Sequence, residues 1–136
     1  MNISLKINKG FIWYSNESIF IKGYFFDRKN NFYQKENALM FLDKITSKEE
    51  FINKVKEING CFSILIKVNN NILIASDTTR SFPLFYTFKN EKIHISDDIV
   101  FLNFGIRNHV FRHTLESLSL NNSFIHSFGM NQSDVN

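Results

Sequence analysis

The chain has 136 residues, of which 43% are hydrophobic and 15% aromatic, and its formal net charge is +3. This length suits one ordinary domain, and so apolar a composition excludes a disordered segment. No apolar run approaches the roughly 20 residues that cross a bilayer, and the start MNISLKINKG lacks the apolar core of a signal peptide. We expect a cytoplasmic protein that does not bind a membrane. The single cysteine agrees, because one thiol cannot form an internal disulfide.

The basic balance raises the question of a nucleic-acid partner. The lysines are scattered, however, and stand beside Asp, Glu or Asn, as in TSKEE and FKNEK. This pattern is typical of a solvated surface rather than of a stripe that follows phosphates. Nucleic acid is therefore a disfavoured partner, although a small basic nucleic-acid-binding module stays open as an alternative.

The first third of the chain predicts β-strands. Residues 3–7 alternate apolar and polar side chains, residues 11–14 form a second short strand, and SIFIKGYFF, residues 18–26, forms a third. Gly23 weakens the third strand because it has no side chain to pack. It predicts a bulge or a close backbone approach, either by a ligand or by a second layer of the fold.

Two helices are predicted next. The first begins near Glu36 and has one apolar face, which consists of Ala38, Leu39, Phe41, Leu42 and Ile45. The second begins with a capping box, because Glu50 follows Ser47 by three residues, and Asn59-Gly60 predicts a left-handed stop.

Strands return after the second helix. Residues 61–68 and 71–76 predict an antiparallel pair, and residues 84–88 and 92–96 predict two further strands, so that the four form a meander. Strands, then helices, then strands without regular alternation favour an α+β fold with antiparallel sheets. The predicted core consists of Phe51, Val55, Ile58, Phe62, Ile64, Ile66, Ile72, Ile74, Leu84 and Tyr86.

Beyond residue 102 the pattern weakens. We predict a domain over residues 1–102 and a C-terminal extension over residues 103–136. In that extension HVFRHTLESLSL, residues 109–120, predicts a short helix, and residues 123–136 predict a frayed tail. A helix would place His109, His113 and Glu116 on one face, where they could hold zinc. A surface helix explains the same residues without a metal, and we expect no metal site and no cofactor.

The loop between the second and third strands of the meander holds the only proline, Pro83, together with Asp77, Arg80 and Phe82. In a simple strand connection, Pro83 presets the turn backbone and Arg80 is solvated. If the loop binds a partner instead, we expect Asp77, Arg80 and Phe82 at the surface, beside an apolar patch formed by Phe85 and the strand next to it. An exposed Phe82 would favour a role in binding a partner, and a buried Phe82 the simple connection.

Three segments carry a resemblance to a known family. EINGCFSILIK, NILIASDTTRSFPLFY and KIHISDD follow one another in the order and spacing found in the glutaminase domain of asparagine synthetases. The residues that match that family's positions are Gly60, Phe62, Ser63, Asp77, Pro83, Leu84, Tyr86, Ser96 and Asp97. IKGYFFD, residues 21–27, resembles the strand whose Asn-Gly-Glu turn holds glutamine. The resemblance spans roughly residues 18–102, so residues 1–102 are predicted to be a glutaminase-like domain.

The resemblance implies a reduced version of the αββα sandwich of the Ntn hydrolases. It also implies that the loop with Asp77, Arg80, Phe82 and Pro83 faces a synthetase-type subunit. The family's nucleophile is an N-terminal cysteine, whereas this sequence starts Met1-Asn2, and of the Asn-Gly-Glu turn only Gly23 remains. Gly23 is thus a remnant of substrate binding. The ATP-binding half of the family is absent from the sequence, so we expect no asparagine synthesis.

Two further groups of residues allow both a structural and a functional interpretation. Cys61 opens a core strand and is predicted to be buried and inert rather than reactive. The aromatic residues Trp13, Tyr14, Phe25, Phe26 and Tyr33 are expected to pack in the core. If helices cover only one face of the sheet, some of them form an exposed interaction surface instead.

Three functional hypotheses follow. The first is a non-catalytic, glutaminase-like module that pairs with a synthetase-type subunit or is the remnant of a longer chain. The second is an active, glutamine-hydrolysing component of an asparagine synthetase. The third is the nucleic-acid-binding module named above. The missing nucleophile favours the first, and we therefore expect no enzymatic activity.

Overall fold

The computed structural model describes residues 2–5, 11–89, 91–98, 116–120 and 123–129. It confirms an α+β fold with antiparallel sheets and two helices. The strands are β1 (Asn2–Ser4), β2 (Trp13–Ser15), β3 (Ile19–Phe26), β4 (Phe32–Gln34), β5 (Asn59–Val68), β6 (Asn71–Asp77), β7 (Phe85–Lys89), β8 (Lys92–Ser96), β9 (Glu116–Leu120) and β10 (Ser123–Gly129).

The two helices, α1 (Lys35–Leu42) and α2 (Lys48–Glu57), lie between β4 and β5. The predicted N-cap of α2 is confirmed, because the Ser47 hydroxyl accepts a hydrogen bond from the Glu50 N–H at 3.1 Å. The Glu50 carboxylate accepts from the Thr46 N–H at 2.7 Å, which lowers the pKa of Glu50. The left-handed stop at Asn59-Gly60 is wrong. The cap residue Ile58 is already extended, and the chain enters β5 directly.

The larger sheet has seven strands in the order β2-β3-β5-β6-β10-β9, with β4 also paired to β3. All of its pairs are antiparallel. The predicted pair of strands at residues 61–68 and 71–76 is confirmed as β5 and β6, whose register joins Ser63 to Ser76 and Val68 to Asn71. β5 lies between β3 and β6, and these three strands form the centre of the sheet because each is paired on both edges along much of its length.

The smaller sheet has the order β1-β8-β7, with β1 parallel to β8. The predicted four-strand meander is therefore wrong, since β6 and β7 belong to different sheets. The second edge of β6 pairs with β10, where Ser76 lies opposite Phe124. The loop after Asp77 carries the chain to the other sheet, because the position beside β6 is already occupied.

The C-terminal extension also differs from the prediction. Residues 116–120 form β9 rather than the end of a helix, and residues 123–129 form β10 rather than a frayed tail. Pairing with β10 satisfies backbone groups that β6 would otherwise leave open, and this favours the extended conformation. Residues 109–115 of the predicted helix and 130–136 of the predicted tail lie outside the described residues.

The helices cover one face of the large sheet and the small sheet covers the other. The core under the helices includes Phe25, Ile21 and Ile64 from the sheet, together with Leu42 and Phe51 from the helices. Between the sheets, Leu65, Ile72 and Ile74 pack on Ile93 and Ile95 of β8. The predicted core residues are confirmed as buried except for Leu84 and Tyr86, which are half-buried beside the second cluster.

Candidate functional site

Segments far apart in the sequence meet at one end of the large sheet, on the face that carries the small sheet. Lys22 of β3 is buried there, and its Nζ lies 3.7 Å from Oδ2 of Asp97, just after β8. Their side chains are 6% and 5% exposed. The indole N–H of Trp13 donates to the same carboxylate oxygen at 2.9 Å. A buried ion pair thus joins the two sheets. Trp13 was predicted from the sequence only as a core aromatic residue, and neither its contact with Asp97 nor the pairing of Lys22 was predicted.

Aromatic rings surround the ammonium group of this pair. Lys22 Nζ lies 5.8 Å from the ring centre of Trp13 and 5.6 Å from that of Phe82. At such distances a cation is attracted by the electron-rich face of the ring. The charge of Lys22 is therefore compensated by Asp97 and enclosed by rings.

Gly23 lies next to this pair in β3 and has a φ of +96°, which a side chain rarely permits. A Cβ at this position would stand 2.0 Å from the Cys61 carbonyl oxygen and 2.6 Å from Cε2 of Phe82. The close approach predicted at Gly23 is present, and the neighbours are the adjacent strand and the loop. No room remains between Gly23 and Phe82 for a bound molecule.

The loop after β6 is organised by the carboxylate of Asp77, which is buried. It accepts hydrogen bonds from the Phe62 N–H at 3.2 Å and from the Ser81 N–H at 3.1 Å. The hydroxyl groups of Thr79 and Ser81 donate to its other oxygen, the latter at 2.9 Å. Burial raises the pKa of Asp77, but these hydrogen bonds outweigh it, so that the pKa falls below its usual value.

The surface position predicted for Asp77 is thus wrong, because its carboxylate replaces a missing strand partner for Phe62. Arg80 is exposed, as predicted, and has a positive φ of 52°, and Pro83 is exposed as well. Phe82 is half-buried, so its exposure by itself favours neither the partner-binding loop nor the simple strand connection.

Phe82 begins a chain of ring contacts that we call the aromatic row. Phe82 contacts Phe11 at 5.3 Å between ring centres, Phe11 contacts Tyr24 at 5.9 Å, and Tyr24 contacts Phe32 at 5.6 Å. Phe26 completes the row at 5.2 Å from Phe32. Phe11, Phe26 and Phe32 are 43%, 38% and 47% exposed. Of the aromatic residues expected to pack in the core, Phe25 does so and Phe26 does not.

Two further groups on this face are polar. Cys61 is half-buried rather than buried as predicted. Cys61 lies opposite Tyr24 on the neighbouring strand. A hydrogen bond between the two side chains raises the pKa of Tyr24, and the charge interaction with Cys61 and the burial of the tyrosine hydroxyl raise it further. Ser63 lies opposite Lys22, and its buried hydroxyl has no hydrogen-bond partner among the described residues.

Of the three residues that a helix would have brought together as possible zinc ligands, only one lies in the described part of the chain. His109 and His113 lie outside it, and Glu116 is on β9. Among the described residues, no group of three or more His, Cys, Asp and Glu side chains could hold a metal ion. Neither described helix is long and apolar enough to cross a membrane.

The chain was compared with protein families, with curated proteins and with solved structures. No family model, no curated protein and no solved structure matches the chain.

Proposed function

We propose that this chain is a non-catalytic, glutaminase-like module of the asparagine synthetase type that docks on a synthetase-type subunit. One observation carries the proposal. Phe82, from the loop that the resemblance assigns to the interface, lies against Gly23, the remnant of the glutamine-binding turn. A ring in that position excludes the substrate and at the same time links the former site to the interface loop.

The charges of the site support the absence of catalysis. Lys22 stands where the family has the Asn of its Asn-Gly-Glu turn, and it is paired with Asp97 rather than facing a ligand. The single cysteine of the sequence, Cys61, lies on β5, where its interaction with Tyr24 raises the pKa of that tyrosine. A thiol without an activating base or cation is a poor nucleophile at neutral pH.

The layer order supports the fold that the resemblance implies. Helices on one face and a second sheet on the other correspond to three of the four layers of an αββα sandwich. The proposal therefore includes a reduced Ntn-type sandwich without its second helical layer.

The aromatic row supports docking. Its three exposed phenylalanines would lose contact with water in a complex, and each fully buried aromatic ring of this kind contributes about 1.5–3 kcal/mol. Exposed contiguous apolar surface marks interaction sites in monomeric proteins, and aromatic residues are enriched in protein interfaces.

The test is association with a synthetase-type subunit, if one is encoded beside this chain, measured by titration calorimetry. We expect Phe82→Ala and Phe32→Ala to weaken binding about tenfold or more, as truncated aromatic anchors do. Met40→Ala is the matched control, because Met40 is 69% exposed on α1, on the helical side of the sheet. Equal binding by all variants, or no binding by the wild type, contradicts docking.

The absence of catalysis needs its own assay. The purified chain should release no ammonia from glutamine above background. Activity that disappears in Cys61→Ser would instead establish the active, glutamine-hydrolysing component.

A further inference from the structure

A cleft opens at the edge of the large sheet, where two short strands share one neighbour. Both strands pair with the same edge of β3. The pairing of β2 ends where Trp13 lies opposite Lys22, and that of β4 ends where Gln34 lies opposite Tyr24. Gly23, between these two positions, pairs with neither Ile12 nor Lys35, the next residues along the chain. The gap is a cleft of about 430 Å³, which lies within the size range of small-molecule sites, about 300–1,000 Å³.

The lining of the cleft has an apolar part and a polar part. Phe11, Ile12 and Tyr14 supply aromatic and aliphatic surface. Gln34 and Lys35 supply an amide and an ammonium group. Among the described residues Lys35 has no ion-pair partner, in contrast to Lys22, which is paired with Asp97. A ligand that satisfies both parts has an apolar body and one negative charge.

The conformation of the chain keeps the cleft open. Lys35 has a φ of +54°, a region that costs energy for a residue with a side chain. Ile12 is 38% exposed, although it borders a sheet that could bury it. Pairing of either residue with Gly23 would close the gap.

We propose that this cleft binds a small amphipathic carboxylate. Its apolar body lies between Phe11, Ile12 and Tyr14, and its carboxylate accepts hydrogen bonds from Lys35 and Gln34. The cleft shares Phe11 with the aromatic row, but the inference does not depend on docking to a synthetase-type subunit.

The probe is 3-phenylpropionate, with the neutral 3-phenylpropionamide and L-glutamine as comparisons. Titration of the ¹⁵N-labelled chain should give saturable shifts of the Gly23 and Gln34 amide signals with the acid. Because a charge-assisted hydrogen bond is lost, the amide should bind about tenfold more weakly. Lys35→Gln should reduce the affinity for the acid by a similar factor and leave that for the amide unchanged.

Two variants separate binding from folding. Lys35→Gly relieves the positive φ, so the variant should be at least as heat-stable as the wild type and still lose affinity for the acid. Lys29→Gln, in the turn after β3, should bind like the wild type. No saturable binding of the acid, equal affinity of acid and amide, or unchanged affinity in Lys35→Gln overturns the site. Binding of L-glutamine alone overturns the ligand class, and it would contradict the blocked glutamine site rather than the docking surface.

Discussion

The two faces of the large sheet are built from the same strands and yet differ in what they contain. On β3, Ile19, Ile21 and Phe25 face the helices, whereas Lys22 and Tyr24 lie on the opposite face. The core beneath the helices consists of apolar residues, with Tyr14 and Tyr33 packed partly buried against it. The opposite face is apolar only beneath the small sheet, and beyond that sheet it carries an ion pair and the aromatic row.

The two faces therefore serve different purposes: the covered face stabilises the fold, and the partly covered face can bind another molecule. A face that is fully covered contributes packing and little else. A face that is covered in part leaves polar and aromatic groups where they can meet another molecule. The candidate functional features of this protein therefore lie on, or at the edge of, the face that the helices do not cover.

The largest effect is expected at the ion pair between the sheets. Asp97→Asn would leave Lys22 buried without its carboxylate, which should reduce the free energy of unfolding by about 3–5 kcal/mol. Urea denaturation measures the change. The double variant Lys22→Met with Asp97→Leu removes both charges and should recover most of the loss. A single variant as stable as the wild type would show that the pair does not join the sheets in solution.

The next effect compares the two cores. Ile64 is fully buried under the helices, so Ile64→Ala should cost about 2–5 kcal/mol of unfolding free energy. Leu84 is half-buried beside the small sheet, and Leu84→Ala should cost about 1 kcal/mol. Thermal and urea unfolding of both variants measure the difference. Equal losses would mean that the two faces are packed to the same degree.

A smaller, pH-dependent effect is expected at Asp77. The pKa of Asp77 is lower in the folded chain than the value of about 3.9 in an unfolded chain. The contribution of this carboxylate to the free energy of unfolding is therefore complete above the unfolded pKa. The contribution is lost as the pH falls through the folded pKa. Asp77→Asn should therefore cost about 1–3 kcal/mol at neutral pH and progressively less in acid.

The measurement for Asp77 is the free energy of unfolding as a function of pH, with the exposed Glu17→Gln as control. A constant difference between wild type and Asp77→Asn at every pH would contradict the role of the carboxylate charge in holding the loop.

The smallest effect tests a local feature of the helical layer. Ser47→Ala removes the N-cap of α2 and should cost about 1 kcal/mol, less than the loss of a buried side chain from the same layer. Lys56→Ala, exposed on the same helix, should change the stability by less than about 0.5 kcal/mol. Circular dichroism during thermal unfolding measures both. A loss after Ser47→Ala as large as after Ile64→Ala would mean that capping rather than packing holds the layer.

Local patterns were sufficient for much of the fold. The Ser47 cap, the β5–β6 pair and the core under the helices all follow from residues close together in the chain. Residues 117–120 alternate Ser and Leu, which is typical of a strand, whereas the prediction gave preference to a helical pattern over residues 109–120. That preference was wrong because no local signal shows that β6 has an edge to be paired.

The rest was decided by contacts over long distances in the chain. Trp13 and Asp97 are 84 residues apart, and their meeting depends on the small sheet lying over the large one. β6 pairs with β10 instead of β7 because hydrogen bonding depends on which strands reach the same edge, whatever their order in the sequence. The sequence by itself determined both helices and most strands up to Ser96, but not β4, β9 or β10. Only the tertiary structure decided that Lys22 is paired, that Phe82 covers Gly23, and that the aromatic row is exposed, since each depends on where a second layer ends.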